Sequence, residues 1–327
     1  MREQKNSSQN RREYKTDVTD AMWALIKPLL PLVVAKRGYE PTDLREVLNT
    51  ILYQNHTGCQ WDMLPHDLCA KSTVFGYYQA WQKSGVWELI LDTLRGKIRV
   101  ETPRGEATPV AQATPEENSS SDAQPQEPLP GDANQAKPQE PLPVQTKSEA
   151  APVVPSNREA TPSFVILDSQ SVKTTEVGGE QRGYDGGKKV KGRKRHIAVD
   201  ILGLLCAVVV TAANVSDGRG ACKLLDQMTP EKFPRLKGGC GDGRYNEKCL
   251  IAKTEQRGLT WEVKSRPPGA KGFVLLKKRW IVERTFAWLG FNRRLSKDYE
   301  RSVWSSETRV RIAAIAMMLR RLTKKAK

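Results

Sequence analysis

The chain has 327 residues, of which 38% are hydrophobic and 28% charged, and its formal net charge is +16. This length is enough for one or two buried cores, and the large positive charge favours a polyanionic partner, nucleic acid before an anionic membrane surface. No apolar run is long enough to span a bilayer and the first residues lack the apolar core of a signal peptide, so we expect a cytoplasmic protein without a membrane segment.

Cysteine and histidine usage narrows the kinds of site that the chain can build. The six cysteines are scattered without a CxxC pair, and there are only three histidines. This spacing argues against a zinc module and favours reduced thiols in the cytosol. A metal site built on histidine is likewise not expected.

The N-terminal third is predicted to be helical. Residues 1–13 are polar and charged, which indicates a disordered basic arm, whereas residues 14–100 carry apolar side chains at helical spacing. About four helices in a small all-α domain match the helix-turn-helix class of DNA reader, and a purely structural bundle is the alternative. The helices are predicted to begin near Thr19, Pro41, Ser72 and Ser84.

Residues 101–160 differ from the rest of the chain in composition. They hold eleven of the twenty prolines and no aromatic residue, and PQEPLP occurs at 125–130 and again at 138–143. Ten acidic and four basic residues give this segment a charge of −6, so the other 267 residues carry +22. Such a composition predicts a disordered acidic linker between two domains.

A short apolar run at residues 164–167 predicts a buried strand that ends in Asp168. A carboxylate held at the end of a buried strand suits a hard divalent cation, although a lone aspartate there can also simply start a turn. A basic cluster follows, which is either a solvated loop or a means of neutralising phosphates. Its six cations are Lys188, Lys189, Lys191, Arg193, Lys194 and Arg195.

Four long motifs resemble those of bacterial insertion-sequence transposases of the DDE superfamily, in the insertion-sequence-five-like branch. They are DSQSVKT at 168–174, GYDGGKKVKGRKRH at 183–196, VDILGLL at 199–205 and RWIVERTFAWLGFNRRLSKDYE at 279–300. The resemblance implies that residues 161–327 form a catalytic domain of the α/β class, an RNase-H-like mixed sheet with flanking helices that follows the small all-α domain.

The resemblance also implies three catalytic and metal-binding acids, Asp168, Asp242 and Glu283, which would hold two Mg²⁺ or Mn²⁺ ions. Carboxylate clusters of this kind support two-metal phosphoryl transfer. The approach to Asp242 departs from the family pattern, because residues 237–240 read KGGC where an apolar strand is usual. Glycine weakens a strand, so we expect Asp242 to be loosely placed and Val or Ile at the inward positions of 238–240 to raise activity.

Further residues are expected to contact DNA. GCQWDMLP at 58–65 and GVWELILD at 85–92 resemble the family's DNA-binding part, which makes the polar face of the third helix a candidate. Relatives carry a basic residue seven positions after the glutamate, where this chain has Gly290, so later arginines would have to serve. The candidates are Lys71, Thr73, Tyr77 and Lys83 in the helical part, and Arg279, Arg293 and Arg294 near the glutamate.

The most favoured function is therefore a DDE transposase that cleaves the ends of an insertion sequence and transfers them into target DNA. The alternative is a decayed copy that only binds DNA sequence-specifically, and a general RNase-H-fold nuclease is a weaker third reading. The expected partner is double-stranded DNA, at the element ends and at the target, with no membrane partner and a homodimer left open. The expected location is the bacterial cytoplasm, at the nucleoid.

Overall fold

The computed structural model describes residues 11–31, 42–103, 158–264 and 278–324. Most of the predicted N-terminal arm and residues 104–157 of the predicted linker lie outside the described residues. Among the helices described, none is long and apolar enough to cross a membrane.

Within the described residues, four α-helices form the N-terminal part, and some of their ends follow local capping chemistry. Thr19 accepts a hydrogen bond from the backbone N–H of Met22, as its predicted N-cap role requires. Gly58 ends the second helix with a φ of 73°, a left-handed conformation that glycine adopts readily. The helices are α1 (Asp20–Ile26), α2 (Leu44–Thr57), α3 (Lys71–Lys83) and α4 (Val86–Glu101). The last two begin within two residues of their predicted starts.

A mixed sheet of six strands forms the centre of the C-terminal part. Its main order is β4, β3, β1, β5, β6, and β2 pairs with the first residues of β3. Strand β3 runs antiparallel to β1 and β4, whereas β5 runs parallel to both β1 and β6. The strands are β1 (Phe164–Lys173), β2 (Gly183–Asp185), β3 (Val190–Val199), β4 (Leu205–Ala212), β5 (Gly238–Asp242) and β6 (Thr260–Lys264).

The helices of this part connect the parallel strands or flank the sheet. Helix α5 links β4 to β5, α6 links β5 to β6, and α7 and α8 follow β6. Three antiparallel strands followed by two parallel ones with intervening helices give the RNase-H-like arrangement, so the predicted fold class is confirmed. The bounds are α5 (Asp217–Gln227), α6 (Lys248–Gln256), α7 (Arg279–Gly290) and α8 (Val303–Thr323).

Each face of the sheet is covered by its own set of helices. On one face Val165 and Leu167 of β1 pack with Leu224 of α5 and Leu250 of α6. The opposite face, which carries Ile166, packs against α7, α8 and the N-terminal helices. Because successive strand residues point to opposite faces, β1 contributes to both cores.

The N-terminal helices share this second core rather than forming their own. Trp87 of α4 belongs to the same buried cluster as Ile166 and Ile315 of α8. Between α4 and α8, Arg311 Nε lies 3.2 Å from Glu88 Oε1. The predicted boundary between a helical part and a catalytic part therefore does not separate two hydrophobic cores.

Helix α4 also holds the chain where it returns after the insert. The guanidinium of Arg99 donates to the backbone oxygens of Glu159, at 2.9 Å, and Thr161, at 3.4 Å. It also forms a buried ion pair with Asp200, at the turn between β3 and β4. The described chain thus stops at residue 103, just past the end of α4, and resumes at residue 158 beside the same helix.

We predict that residues 104–157 can be replaced by a linker of about eight glycine and serine residues, which spans at most roughly 26–29 Å, without loss of the fold. Both ends of the insert are fixed to α4, so the core does not depend on it. The measurement is the thermal unfolding midpoint of the shortened chain, with Arg99→Met as the variant that should lower it. Insoluble shortened protein would show that the insert has a structural role.

Candidate active site

The parallel pairing of β1 and β5 brings two of the predicted acids together. Phe164 pairs with Gly238 and Ile166 with Cys240. Continued by two residues, this register sets Asp168 beside Asp242, both on the face that carries Ile166. Adjacent strands lie about 4.8 Å apart, so the two carboxylates are neighbours across the sheet.

The third acid approaches from α7, and one arginine connects it to β5. Ile281 and Val282 bury this helix in the same core as Ile166. From the first turn of α7, Arg279 places Nε 3.4 Å from Glu283 Oε1 and Nη2 3.5 Å from Asp242 Oδ2. The guanidinium therefore lies between two carboxylates that come from different elements.

Asp168 lies in the middle of β1, not at the end of a strand as predicted. The strand continues to Lys173 because its polar residues pair with β3 instead of turning away. Burial raises the pKa of Asp168 to about 6, aided by the nearby Asp242 carboxylate and opposed by the Ser169 N–H, by Arg279 and by Lys188.

The donor chemistry of this cluster fits a divalent cation. Asp168 and Asp242 lie on neighbouring strands, and Glu283 is linked to Asp242 through Arg279, with no histidine or cysteine among them. Carboxylate oxygens are the ligands that Mg²⁺ and Mn²⁺ favour. Within the described parts of the chain, no three such side chains already stand close enough to hold an ion. The positive charge between Asp242 and Glu283 is instead that of Arg279, while the half-buried Asp168 has no ion-pair partner among the described residues.

A second polar network lies on the opposite face of β1 and was missed by the sequence analysis. Ser169 donates to Asp217 at 2.7 Å, and the Lys194 ammonium lies 3.1 Å from the same carboxylate. Ser171 donates to Asp185 at 2.5 Å, and Lys194 reaches this second carboxylate at 3.7 Å. The network fixes the part of β1 that follows Asp168. The only signal for it in the sequence is the density of polar residues in the β1 and β3 motifs.

Hydrogen bonds and charge keep one member of this network ionised. Burial alone would raise the pKa of Asp185, but the bonds from Ser171 and from the Lys188 N–H, with the Lys194 charge, lower it to about 2. Burial would also raise the pKa of Asp217, but the hydrogen bond from Ser169 and the charge of Lys194 outweigh it and lower that pKa. Both carboxylates are therefore anionic counterparts of the buried lysine.

Three of the six clustered cations are buried, which corrects their predicted role in phosphate contact. Arg193 is completely buried, with Nη1 3.0 Å from Asp298 Oδ1. Lys194 pairs with Asp217, and Arg195 donates to two backbone oxygens of the loop after α7. The reason is that β3 is a central strand, paired on both sides and covered on both faces.

The other predicted DNA contacts divide by exposure. Lys188 and Lys189 are exposed at the turn before β3, and Lys191 is exposed at the start of β3. Lys188 Nζ donates to the backbone oxygen of Ser169 at 3.2 Å. The residue next to Asp168 therefore lies within reach of this basic turn. Among the arginines after α7, Arg293 is exposed.

The candidates on α3 differ in their exposure and in their contacts. Lys71 and Lys83 are exposed at opposite ends of the helix, and Lys71 pairs with Asp62. Thr73 is half-buried, and Tyr77 packs against the Trp81 ring with centroids 5.8 Å apart. These four residues stay a prediction for DNA contact.

The glycines of β5 are required by close packing, which corrects the expectation of a loose strand. A Cβ on Gly238 would lie 2.2 Å from Thr260 Oγ1, and one on Gly239 would lie 2.8 Å from the Trp261 ring. A Cβ on Gly241 would lie 2.5 Å from the Tyr245 ring. Valine or isoleucine cannot enter here, so the expected gain in activity from such replacements is withdrawn.

The order and directions of the strands define the C-terminal part as a member of the RNase-H-like class of domains, with Asp168 and Asp242 on neighbouring central strands. Comparison with family models agrees with this class. The model described as "Transposase DDE domain" matches residues 159–319, and the model described as "Putative transposase of IS4/5 family" matches residues 18–91. Together they cover more than two thirds of the chain, which belongs to the DDE transposases of insertion sequences.

Two relatives from Burkholderia cepacia are similar to parts of this chain. The "Putative transposase for insertion sequence element IS402" is 33% identical over 116 residues, which are 34% of this chain and 54% of the relative. The "Insertion element IS402 uncharacterized 16.2 kDa protein" is 34% identical over 91 residues, 26% of this chain and 62% of the relative. The chain thus spans little more than half the length of these relatives.

One solved structure with a detectable likeness is the catalytic core domain of BIV integrase. It is 12% identical, with a TM-score of 0.26, over 50% of this chain and 86% of that chain.

We predict that Gly239→Val destabilises the protein by about 1–3 kcal/mol, the usual cost of overpacking, and lowers any activity that depends on Asp242. Thermal and denaturant unfolding measure the first effect. The matched control is Gly76→Ala on α3, where a Cβ meets nothing within 4 Å. A stable and more active Gly239→Val variant would contradict the packing account.

A second prediction separates buried from exposed cations. Arg193→Gln leaves Asp298 buried without its partner and should cost about 3–5 kcal/mol of stability. Lys189→Gln and Lys191→Gln should leave stability unchanged, and each lysine that neutralises a phosphate should, when replaced, make the slope of log affinity against log salt shallower by about 0.9. Unfolding curves and DNA-binding titrations at several salt concentrations test both halves. Unchanged stability in Arg193→Gln, or a loss of stability in Lys189→Gln or Lys191→Gln, would contradict this prediction.

Proposed function

We propose that the chain is a DNA transposase that cleaves phosphodiester bonds at the ends of its insertion sequence and joins the freed ends to target DNA. The observation that supports the proposal is the position of Asp168 and Asp242 on neighbouring strands, with Arg279 linking Asp242 to Glu283 of α7. Membership of the transposase family agrees with this chemistry.

Asp168, Asp242 and Glu283 would hold two Mg²⁺ or Mn²⁺ ions. When bound, such ions supply charge neutralisation and activation of an oxygen nucleophile. Both aspartates are placed by the sheet, and the rigid pairing of β1 with β3 and β5 fixes their separation before substrate arrives.

The cations of the site are placed to hold DNA. Arg279 is a third exposed and contacts the two carboxylates at 3.4 and 3.5 Å, distances that leave it able to turn towards a phosphate. The exposed Lys188 and Lys189 of the turn before β3, with Lys191 at the start of that strand, would follow the DNA backbone, and Lys188 contacts Ser169. Their contribution is sequence-independent affinity and orientation.

The alternative of a decayed copy that only binds DNA has lost its main support. That alternative has two grounds, the glycines before Asp242 and the long insert, and the packing of Thr260, Trp261 and Tyr245 accounts for the glycines. The site retains all three acids, so we propose catalysis as well as binding. In this proposal the protein acts at the bacterial nucleoid, with a homodimer serving two element ends.

We predict that Asp168→Asn reduces end cleavage to background while leaving DNA affinity intact, because it removes a metal ligand and not a phosphate contact. The substrate is a plasmid that carries the gene with its own flanking DNA. Cleavage should require Mg²⁺ or Mn²⁺ and stop with EDTA. Affinity is measured by titration in EDTA.

The matched control is Asp226→Asn, an exposed aspartate paired with Lys253 on the far side of α5, which should cleave like the natural protein. Full cleavage by Asp168→Asn, or cleavage in EDTA, would rule out the proposed site.

A further inference from the structure

A groove outside the acidic cluster combines exposed aromatic rings with cations. It lies between the 3-10 turn Trp61–Met63, the start of α3 and the loop that follows α7, and its volume is about 560 Å³. This volume is within the range of about 300–1,000 Å³ found for sites of small ligands. The lining residues are Gln60, Trp61, Asp62, Lys71, Phe75, Arg294, Tyr299 and Arg301.

Three aromatic side chains line this groove, and two of them are at least a third exposed. Phe75 is 36% and Tyr299 39% exposed. Trp61 meets the Phe75 ring edge-on, with centroids 5.5 Å apart. Aromatic rings that lie together with part of their surface exposed can stack against a bound ligand, whereas rings in a closed core cannot.

A buried arginine packs beneath the groove and links its two sides. Arg309 is 1% exposed, and its guanidinium lies 5.1 Å from the centroid of the Trp61 ring. Its Nε is 3.2 Å from Glu300 Oε1, and the same oxygen lies 2.8 Å from Arg294 Nε. Both walls of the groove are thereby fixed to one carboxylate.

The charge of the groove is positive. Lys71, Arg294 and Arg301 line it with one acid, Asp62; Lys71 pairs with Asp62 and Arg294 with Glu300, which leaves the charge of Arg301. Arg301 is exposed and forms no ion pair within the described residues. The Arg294 guanidinium lies 5.3 Å from the Tyr299 ring centroid, which extends the flat surface of the ring with a cation.

The groove is connected to the strand that carries Asp168. The Asp298 N–H donates to the backbone oxygen of Lys173, at the end of β1, at 2.8 Å, and Tyr299 follows at once. At about 3.3 Å per residue, the end of β1 lies about 17 Å along the strand from Asp168. That is about five base-pair steps of DNA.

We propose that this groove binds one unstacked nucleotide of a DNA strand whose backbone lies at the acidic cluster. A base would stack on Phe75 or Tyr299 while its phosphates meet Arg301 and Lys71. Stacking of this kind accepts any base, and a paired duplex does not offer its base faces. The inference depends on DNA being the substrate, as proposed above, and adds a site for a nucleotide outside the helix.

The test measures binding of a short fluorescein-labelled oligothymidylate and of a short fluorescein-labelled duplex, by anisotropy in EDTA. Phe75→Ala and Tyr299→Ala should each weaken oligothymidylate binding roughly tenfold to a hundredfold, the range found when one aromatic–base stack is removed, and leave duplex affinity unchanged. Phe75→Trp and Tyr299→Phe should restore binding. The control is Leu89→Ala, an exposed apolar side chain of α4 that does not line the groove.

Several results would overturn the proposal. One such result is unchanged oligothymidylate binding by both Phe75→Ala and Tyr299→Ala. Another is an equal loss of affinity for the single strand and for the duplex. Loss of a dimer in mass photometry without loss of oligothymidylate binding would make the groove a contact between copies. Because the two variants lie on separate segments and are exposed, a fold defect in one, seen in its melting curve, leaves the other informative.

The binding assay needs no cleavage, so it is independent of the catalytic proposal. If Asp168→Asn cleaved normally while Phe75→Ala no longer bound oligothymidylate, the acidic site would be wrong and the groove would stand.

Discussion

The register between β1 and β5 is the constraint on which the site depends. A slip of one residue would turn Asp168 and Asp242 to opposite faces of the sheet, because side chains alternate along a strand. The register is held by the close packing of β5 between β1 and β6. Gly239 pairs with Val165 on one side and with Trp261 on the other, and a Cβ at this position would clash with both neighbours. Residues that would weaken an isolated strand therefore determine where the second carboxylate lies.

Burial divides the positive charge of the chain into two populations. One population lies inside the protein, where most of its members pair with carboxylates, as Arg193 does with Asp298 and Arg311 with Glu88. These cations hold elements together, so the charge of +22 outside the insert overstates what is available to DNA. The other population is exposed, and it includes the lysines at the turn before β3, near the acids. The buried cations are Arg95, Arg99, Arg193, Lys194, Arg195, Arg309 and Arg311.

The features that depend on local chemistry could be predicted from the sequence, whereas those that depend on tertiary packing could not. Helix ends at Thr19 and Gly58 follow from capping and from a left-handed glycine. The family motifs predict Asp168 and two partner acids, and the sheet sets Asp168 beside Asp242. Periodicity could not show that Arg193 would be buried, because a run of cations is typical of solvated loops. Nor could composition show that Gly239 is needed, since its reason is the Trp261 ring on another strand. Tertiary contacts override propensity at these positions.

The shared core has a mechanical consequence for DNA. Helices α3 and α4 pack into the same cluster as α8 and the sheet, and buried Arg309 joins the Trp61 turn to the loop after α7. Neither the groove nor the acids can then move as a separate domain, although 54 residues of insert separate their segments in the chain. Close-packed interiors transmit displacement instead of absorbing it. A strand bound in the groove would therefore meet Asp168 at a set distance, which would let the position of one nucleotide determine which phosphate is cut.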